Sequence, residues 1–545
     1  MERSESGRAS AEPSRRTPWL VFALALVWLS IGAGRRALWQ DEAATALLGK
    51  SLVEHGRPLA WDGKNLVTMD DFRAGEEAAI GAAMKSVETA IPYLVARGDF
   101  AADTTWIGHP WGSFLLAGVA HTLGGTDEFV LRLPFLICGA AALALLFAAL
   151  ARRVGTVPAW LAVAVLAFDA FWFVHVRQCR YYAPSSCFAL ATFVAYLRWR
   201  EGARFGAAVF VAVAFAWFQF DFGSPFAALA VFAVDALVID RKRALASLAT
   251  FAVLGLLYLP SVLYFDLVDR LRPTDTPLEV RAGGLAFFTN QYVLPFTLAA
   301  AALALVVFSK RAEAPTRRLV ALALAVVFAE LAWMVRASPY PFLRYVIAFA
   351  PLGALVTACV AWEAGRRWLP RRAGVLATGL CALAVVSPLF AAPLSRALSA
   401  DFDDLCAPGR FVRSELDVLA SELFRSVPDP NRAVVDSLRG QLRDGDEILA
   451  NYEDLPLAFY LDVPVRGGVA GFRVEAATPA RWVVLRRTVG WVHWPAYERA
   501  LAAARYQRGS LDAPDIPWGN NPDPSAHWSR IPFPVAPLTL LRRAD

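Results

Sequence analysis

Residues 130–153 read VLRLPFLICGAAALALLFAALARR, an apolar run that ends in two arginines. As an α-helix, a run of this length crosses the roughly 30 Å hydrocarbon core of a bilayer, because each residue adds about 1.5 Å. Comparable blocks recur along the chain, and 57% of its 545 residues are hydrophobic. Soluble domains contain only about 45–50% apolar residues, so the excess needs a bilayer to cover it. We therefore predict an α-helical integral membrane protein with many spans.

Eleven apolar blocks have a length and composition that predict membrane-spanning helices. They occupy residues 18–34, 130–151, 156–175, 181–198, 205–222, 224–239, 244–265, 290–309, 317–336, 340–362 and 373–394. One further apolar stretch, 110–123, contains Gly112 and Gly118 and is only about 14 residues long. That length favours an interfacial or re-entrant helix over a full span.

The distribution of Lys and Arg predicts which loops face the cytoplasm, because cytoplasmic loops carry most of the basic residues in membrane proteins. If 110–123 does not cross, nearly all compact basic clusters fall on one side, among them Arg15-Arg16, Arg152-Arg153 and the cluster at 241–243. Arg35-Arg36 is the main exception. The charges therefore predict an odd number of spans, with the N-terminus inside and the C-terminus outside.

This topology divides the chain into three predicted parts. Residues 1–17 form a cytoplasmic tail, 18–395 a transmembrane domain with an external loop at 35–129 that carries amphipathic helices, and 396–545 an external α/β domain. The last part has helical patterns at 411–426 and 431–443, and short apolar runs at 447–450, 458–465, 482–485 and 537–541. A length of about 150 residues is enough for a separate core. In a bacterium, the chain would lie in the inner membrane, with this domain periplasmic or extracellular.

Charge and cysteine content argue against two other kinds of protein. In a soluble protein, a net charge of +6 would suggest a nucleic-acid partner. Here the basic residues lie between apolar blocks, so the membrane topology explains their placement. The six cysteines are scattered and form no CxxC pair. A disulfide framework or a zinc site is therefore not expected.

The acidic pair Asp41-Glu42 is the most prominent candidate for chemistry. It lies just outside the first predicted span and opens a predicted amphipathic helix. The apolar face of this helix consists of Ala44, Leu47, Leu48 and Leu52. One interpretation is structural, with Asp41 capping the helix and Glu42 complementing its dipole. The other is that a carboxylate at this place abstracts a proton from a substrate.

Basic and aromatic residues form a second set of candidates on the predicted outer side. Arginines beside the membrane on that side oppose the positive-inside bias and suggest an anionic ligand. The set contains His109, Arg177, Arg180, Tyr181, Tyr182, Arg344 and Tyr345. Structural alternatives stay open, since the arginines at 177 and 180 could contact lipid phosphates, Arg344 could snorkel to the interface, and a lone His is often structural.

The predicted external loop 266–289 adds Arg270 and Arg272 to these cations. The loop is either a lid over a bound ligand or a plain solvated connection. The acidic pair and the cations together suit group transfer from a lipid phosphate. A general base would activate an acceptor, and the cations would stabilise the leaving phosphate.

These residues, in this order, resemble the membrane glycosyltransferases of the GT-C class. The most similar types are the dolichyl-phosphate-mannose protein mannosyltransferases and the bacterial aminoarabinose transferase of lipid A. The shared elements are Asp41-Glu42, His109-Pro110, a Gly…Glu-Phe…Arg-Leu-Pro stretch (Gly125, Glu128-Phe129, Arg132-Leu133-Pro134), an Arg-x-Tyr element (Arg180-Tyr181-Tyr182) and a late Arg344-Tyr345. The resemblance covers residues 18–200 well and 340–395 moderately.

Three features depart from the pattern of that class. Trp111 stands where a second Pro is common, and Gln178 stands where a Glu is common. Residues 62–106 look like an insertion, so acceptor specificity cannot be transferred from relatives.

The resemblance implies a GT-C fold with about 11–13 transmembrane helices and a small soluble α/β C-terminal domain. It implies an inverting hexosyl- or pentosyltransferase that moves a sugar from a polyprenyl-phosphate donor to an envelope lipid, glycan or protein at the outer membrane face. Asp41 would be the general base and Glu42 would position it or contact the sugar. Arg180 and Arg344, with Arg177 or His109, would hold the lipid phosphate. Because the leaving group is already a phosphate, neither a nucleotide nor an essential divalent metal is required.

A transporter or flippase for lipid-linked sugars is the main alternative. Many spans and external cations are compatible with it, whereas the large external domain and the lack of a visible repeat argue against it. Ionisable residues at mid-span are few, with Asp169 and Asp235 as possible exceptions. A third interpretation is a non-catalytic scaffold whose C-terminal domain binds partners, which leaves the acidic pair and the arginines without a purpose.

Overall fold

The computed structural model describes residues 14–68, 77–239, 244–270, 277–282, 314–337, 343–386, 416–486, 494–516, 520–521, 527–530 and 535–544. They fall into two compact units. The helical unit comprises residues within 1–29, 137–173 and 182–419, and the mixed unit comprises residues within 30–136, 174–181 and 420–545. The mixed unit thus joins the long first loop, the short segment 174–181 and the C-terminal region into one body. The domain boundary predicted near 395 lies outside the described residues and stays a prediction.

Helices make up most of the described chain. In chain order they are α1 Thr17–Ser30, α2 Gln40–His55, α3 Glu77–Ala83, α4 Val87–Arg97, α5 Gly112–Gly124, α6 Glu128–Arg153, α7 Thr156–Ala167, α8 Ala170–Val176, α9 Tyr182–Arg200, α10 Gly206–Phe218, α11 Ser224–Val234, α12 Ala244–Tyr264, α13 Leu267–Arg270, α14 Ala314–Ala337, α15 Ala350–Trp368, α16 Ala373–Val386, α17 Leu416–Phe424, α18 Pro430–Arg439, α19 Asp454–Leu461 and α20 Trp494–Ala502. A π-helical turn, Asp235–Ile239, continues α11, and a 3₁₀ segment, Leu343–Phe349, leads into α15.

Ten of the eleven predicted spans overlap a helix, and the remaining one, 290–309, lies outside the described residues. Four described helices are long and apolar enough to cross a membrane: Glu128–Arg153, Ala244–Tyr264, Pro315–Ala337 and Arg344–Trp368. The pair α7 and α8, bent by 70°, gives a fifth candidate. Other apolar helices are shorter, among them α1 and α10. The protein is a multi-pass membrane protein, and the full number of spans stays a prediction.

Asp169 and Asp235, the two acidic residues singled out at mid-span, have structural partners in the helical unit. Asp169 sits at the bend before α8 and accepts a hydrogen bond from the Trp172 backbone N–H at 3.1 Å, so it caps that helix. Asp235 accepts from the Tyr196 hydroxyl at 2.5 Å and pairs with Arg318 at 3.1 Å. Pairing of this kind offsets the cost of placing a charge among apolar helices.

Helix α5 has the properties of an interfacial helix, as its length predicted. It has 13 residues, so it is about 20 Å long, shorter than the roughly 30 Å hydrocarbon core. Leu115, Val119 and Leu123 form an exposed apolar stripe at spacings of four residues. The opposite face packs on α2 so closely that a Cβ at Gly118 would lie 2.3 Å from the Gly49 carbonyl oxygen. A membrane surface is the natural environment for the exposed stripe.

The mixed unit contains a small five-stranded sheet, which confirms the predicted α/β architecture of the C-terminal region. The strands are β1 Ile448–Ala450, β2 Val465–Gly467, β3 Trp482–Leu485, β4 Tyr506–Pro514 and β5 Pro537–Arg543, in the order β2-β1-β3-β5-β4. β1 runs parallel to β2 and β3, whereas β5 is antiparallel to β3 and β4. The short central strands are buried, as expected for the middle of a covered sheet.

Sequence patterns located three of the five strands by their apolar runs. The run at 458–465 is mainly helix α19, because a short apolar run has no period that separates a buried helix from a strand. The patterns missed β4, a largely exposed edge strand that hydrogen-bonds to β5. They also missed helix α20.

One apolar core links helix α2 to the sheet. Leu48 of α2 and Phe114 of α5 belong to the same buried cluster as Ile448 of β1, Leu455 of α19 and Leu538 of β5. Burial of such side chains contributes roughly 25 cal/mol for each Å² removed from water. The helix that carries the acidic pair is therefore anchored on the C-terminal region.

A network of buried polar residues accompanies this core. Arg486 and Asp515 form an ion pair at 2.9 Å, and each side chain is 1% exposed. Asn431 accepts a hydrogen bond from Arg486 at 3.1 Å and donates one to Glu453 at 3.0 Å. These bonds matter because a buried charge is tolerated only when it is paired and hydrogen-bonded.

Glu453 should make stability depend on pH. Burial raises the pKa of Glu453 to about 8, in spite of Arg486 and the hydrogen bond from Asn431, and Asp454 adds to the rise. The pKa of an unfolded Glu is about 4.3, so folding favours the protonated form. The resulting stabilisation is complete below about pH 4 and is lost as the pH rises through about 8. We expect a loss of a few kcal/mol between pH 5 and 8.5 in equilibrium unfolding in detergent micelles.

The matched variant for this measurement is Glu453→Gln, which cannot titrate. Its unfolding free energy should change much less with pH than that of the wild type. Parallel pH profiles for the two proteins would show that Glu453 titrates normally.

Candidate active site

The acidic pair lies in the first turn of α2, which begins at Gln40. Trp39 occupies the N-cap position, and its side chain makes no capping bond. The interpretation that Asp41 caps the helix is therefore wrong. Adjacent helical residues point about 100° apart, so the two carboxylates have different surroundings. The side chain of Glu42 is 1% exposed, whereas that of Asp41 is 16% exposed.

Glu42 is fully engaged by two other segments of the mixed unit. Arg132 of α6 donates two hydrogen bonds to the Glu42 carboxylate, from Nε to Oε1 at 2.8 Å and from Nη2 to Oε2 at 2.6 Å. The backbone N–H of Cys179 donates to Oε1 at 2.8 Å. Arg132 also donates to the carbonyl oxygens of Ala33 and Arg36, at 2.7 and 2.8 Å. Glu42 thus connects α2 with the start of α6 and with segment 174–181. Both of its carboxylate oxygens accept hydrogen bonds that stabilise this packing.

Asp41 faces a different arginine. Its Oδ2 lies 3.4 Å from Arg180 Nη2. Nη1 of the same guanidinium donates to the Asp41 carbonyl oxygen at 3.3 Å and to Thr45 Oγ1 at 3.0 Å. Tyr181 lies beside Arg180, with its ring centroid 5.6 Å from the guanidinium carbon. The structure therefore brings the predicted base and a predicted phosphate ligand into contact.

A buried charge cluster lies next to this pair. Glu422 forms an ion pair with Arg36, accepts from His527 at 2.8 Å and lies 3.8 Å from Arg177. Burial would raise the pKa of Glu422, but Arg36, His527 and Arg177 together hold it far below its usual value. Burial lowers the pKa of Arg177 to about 10, in spite of Glu422. Arg177 Nη2 also donates to the Ile31 carbonyl oxygen at 2.5 Å.

Between these groups lies a cavity of about 30 Å³. Its lining includes Arg36, Glu42, Arg132, Arg177 and Glu422. A space of this size holds one or two water molecules and excludes a sugar ring. Water in this cavity can therefore solvate the buried charges. A substrate would have to bind on the more accessible side of the cluster, where Asp41 and Arg180 lie.

The remaining predicted site residues have varied surroundings. His109 stacks on Trp106 in the mixed unit, at 5.9 Å between ring centroids and 7° between planes. Gln178 accepts a hydrogen bond from Trp39 Nε1 at 3.2 Å. It helps to hold segment 174–181 against the residue that precedes α2. Its role here is structural.

Four predicted residues belong to the helical unit. Tyr182 is fully buried at the start of α9. Arg344 and Tyr345 lie in the 3₁₀ segment before α15, with the Arg344 guanidinium 5.8 Å from the Tyr345 ring. Arg270 ends the short helix α13, and its side chain is outside the described part of the chain. The binding roles of all four stay predictions.

Sequence reasoning missed several residues that build the site. Arg132 belongs to the Arg-Leu-Pro element, but nothing local shows that it clamps Glu42. Arg36 was noted only as an exception to the charge rule, and the structure pairs it with Glu422. The sequence did not connect Glu422 or His527 with the acidic pair, because their partners are 386 and 105 residues away.

Metal ligation has little support in the side chains that the structure describes. Among them, no group of three or more His, Cys, Asp or Glu residues could hold a metal ion.

The fold is that of the GT-C class of membrane glycosyltransferases. Among solved structures, the chain is similar to ArnT from Cupriavidus metallidurans bound to undecaprenyl phosphate, with a TM-score of 0.55 and 14% identity over 97% of this chain and 98% of that one. It is also similar to ArnT in the apo state, with a TM-score of 0.52 and 12% identity over 97% and 98% of the two chains.

An archaeal protein has the same architecture. The oligosaccharyltransferase AglB from Archaeoglobus fulgidus, in complex with an inhibitory peptide and a dolichol-phosphate, matches with a TM-score of 0.50 and 12% identity over 96% of this chain and 76% of that one. No protein-family profile and no curated protein sequence matches the chain. At these identities the similarity establishes the fold, and it confirms the GT-C resemblance found in the sequence.

Proposed function

We propose that the protein is a glycosyltransferase that moves a sugar from a polyprenyl-phosphate donor to an envelope acceptor. The observation that carries the proposal is the partly exposed Asp41 carboxylate beside Arg180, on a helix that the buried Glu42–Arg132 pair holds in place. Within a GT-C fold, this arrangement supplies a base and a cation at one point. The undecaprenyl phosphate bound to ArnT and the dolichol-phosphate bound to AglB support a lipid phosphate as the donor's leaving group.

The proposed reaction is a single displacement. The Asp41 carboxylate takes the proton from the acceptor's nucleophilic group, which then forms a bond to the anomeric carbon of the donor sugar. The bond between that carbon and the phosphate oxygen breaks, and its electron pair leaves with the polyprenyl phosphate. Attack opposite the leaving group inverts the anomeric configuration. Because the leaving group already carries a phosphate, the proposed step requires neither a nucleotide nor an essential divalent metal.

Arg180 has two functions in this proposal. In the structure it contacts Asp41 and Thr45, which fixes the guanidinium at the first turn of α2. With donor bound, the same fork of N–H groups can face phosphate oxygens and neutralise the charge of the leaving group. Arg177 is buried against Ile31 and Glu422, so its contribution is to the local potential and not to direct phosphate contact. Arg344 and His109 are proposed as further ligands of the donor.

Removal of the Arg180 guanidinium should weaken the use of the donor. A hydrogen bond to a charged group contributes about 1.5–3 kcal/mol, so we expect Arg180→Ala to lower kcat/KM for donor about 10- to 100-fold. Arg180→Lys should recover part of this, because it keeps the charge and loses the fork. The measurement is release of undecaprenyl phosphate from a panel of undecaprenyl-phosphate-linked sugars, with the purified chain in liposomes and envelope extract as acceptor.

Arg57→Ala is the control, because Arg57 pairs with Asp103 in an exposed contact of the same unit. Its kcat/KM should stay within about twofold of the wild type, as is usual for surface ion pairs. An Arg180→Ala enzyme with unchanged kinetics would remove Arg180 from the site. Movement of labelled donor across the bilayer with no glycoside formed would instead indicate a flippase.

The proposal also places the site at the outer face of a bacterial inner membrane, following the distribution of basic residues. The apolar stripe of α5 in the mixed unit supports a position at a membrane surface. A phosphatase fused after Asp545 should be active, since this enzyme works outside the cytoplasm. An inactive phosphatase with an active cytoplasmic reporter at the same position would oppose both the orientation and the donor assignment.

A further inference from the structure

The four residues before Asp41 are held in an unusual way. Ala37, Leu38, Trp39 and Gln40 are all buried, with exposures of 1%, 0%, 3% and 4%. Ala37 and Leu38 precede the helix, so helical bonds do not satisfy their backbone groups. Buried N–H and C=O groups need partners, because an unsatisfied one costs about as much as a lost hydrogen bond. The identity of these partners shows what fixes the start of α2.

All four backbone groups of Ala37 and Leu38 bond to side chains from the C-terminal region. The Ala37 N–H donates to Asp429 Oδ2 at 2.7 Å, and its carbonyl oxygen accepts from Asn520 Nδ2 at 3.0 Å. The Leu38 N–H donates to the Tyr460 hydroxyl at 2.9 Å, and its carbonyl oxygen accepts from Asn431 Nδ2 at 3.0 Å. We call this set of four side chains the clasp.

The side chain of Gln40 extends the same attachment. Its Nε2 donates to Asp454 Oδ1 at 2.8 Å, and its Oε1 accepts from the Leu455 backbone N–H at 3.3 Å. Both residues belong to the start of α19. The residue immediately before the proposed base is therefore tied to the C-terminal region at two points.

The clasp residues are themselves fixed by further bonds. Asn520 Nδ2 also donates to Asp429 Oδ1 at 2.6 Å, which joins two members of the clasp. Asn431 contacts Glu453 and Arg486, and Arg486 pairs with Asp515. A network in which every member is bonded holds its geometry more rigidly than isolated contacts do.

We infer that the clasp is a positioning device that sets the place of Asp41 for proton abstraction, so that Asp429, Asn431, Tyr460 and Asn520 act on the reaction through the backbone of Ala37 and Leu38. This inference rests on the proposed function of Asp41. The physical reason is that a general base works only within hydrogen-bond reach of its proton. A misplacement of about 1 Å can cost about 10²-fold in rate. The C-terminal region is then part of the catalytic apparatus, and not only an acceptor-binding or scaffolding part.

Two buried asparagines provide a matched test. Asn431 and Asn451 are each 1% exposed and both bond to Arg486, but only Asn431 reaches Leu38. We expect Asn431→Ala to lower kcat about tenfold or more with KM for donor unchanged, and Asn451→Ala to leave kcat within about twofold. Hydrogen–deuterium exchange of the full chain in detergent should show amides at 37–42 exchanging about tenfold faster in Asn431→Ala alone.

Substitutions at two tyrosines remove fewer atoms and test the same inference in case the asparagine variants fold poorly. Tyr460→Phe removes the acceptor of the Leu38 N–H together with the hydrogen bond between the same hydroxyl and Glu128. Tyr497→Phe removes a buried hydroxyl that donates to the Ala450 and Gly468 carbonyl oxygens. Tyr460→Phe should speed exchange at Leu38 and lower kcat, and Tyr497→Phe should do neither.

The outcomes separate this inference from the proposed function. Faster exchange at 37–42 with unchanged kcat would show that the clasp exists but does not position the base. Equal exchange and equal kcat in Asn431→Ala and Asn451→Ala would overturn the clasp itself. If the wild type transfers no sugar from any donor while the exchange result holds, the proposed function fails and the structural part of the inference stands.

Discussion

Asp41→Asn is expected to lower the transfer rate about 10³-fold, since a positioned general base contributes about 10²- to 10⁴-fold. Asparagine keeps the shape of the side chain and can still accept a hydrogen bond from Arg180, so the fold of α2 should survive. It cannot take the acceptor's proton at any useful rate. The measurements are the rate of undecaprenyl phosphate release and mass spectrometry of envelope glycans from cells that carry the variant, in which one sugar should be missing.

The control for this experiment is Asp103→Asn, because Asp103 forms an exposed ion pair with Arg57 in the same unit. Its transfer rate should equal that of the wild type. Unchanged transfer by Asp41→Asn would remove the base assignment. A comparable loss in Asp103→Asn would show that the assay reports folding and not catalysis.

Glu42→Gln is expected to have the largest effect on stability, a loss of about 3 kcal/mol or more in the free energy of unfolding. The neutral amide leaves Arg132 as a buried charge without its partner, and the amide nitrogen cannot accept one of the three hydrogen bonds that the carboxylate accepts. Removing one member of a buried ion pair typically costs about 3–5 kcal/mol. The measurement is equilibrium unfolding in detergent micelles.

The double variant Glu42→Gln/Arg132→Gln tests the cause of that loss. It removes the buried Arg132 charge that has lost its partner, so it should recover part of the stability lost in the single variant. The surface pair of Arg153 and Glu201 is a geometric match, with two bonds at 3.0 and 2.9 Å, but Glu201 is 56% exposed. Glu201→Gln should therefore cost less than about 1 kcal/mol. Similar losses for Glu42→Gln and Glu201→Gln would mean that burial does not set the strength of the inner pair.

The Asp41→Asn and Glu42→Gln results together would separate the functions of the two adjacent carboxylates. Asp41 should affect the rate with little effect on stability, and Glu42 should affect both, because an unfolded or shifted α2 loses the base as well. The sequence interpretation in which Glu42 contacts the sugar is a weaker hypothesis in this structure, since both of its oxygens already bond to Arg132.

Local sequence was sufficient for the class of protein and for much of the fold. Apolar blocks such as 130–151 predicted helices because the cost of unpaired backbone groups in a bilayer leaves few other solutions. The short length of 110–123 predicted a helix that does not cross, and α5 has the length and the exposed apolar stripe of such a helix. The order of the Asp-Glu, His-Pro and Arg-x-Tyr elements was sufficient to indicate the GT-C class.

Only the tertiary structure decided how the site is built. Glu42 meets Arg132 from 90 residues away, Arg36 meets Glu422 from 386 residues away, and the clasp on Ala37 and Leu38 comes from the C-terminal region. No local period or spacing encodes such contacts, because they depend on which distant segments pack around the start of α2. The sequence placed both Asp41 and Glu42 at the site and did not show that their surroundings differ. The helix turns them about 100° apart, and burial of one side makes Glu42 a structural anchor and leaves Asp41 available for chemistry.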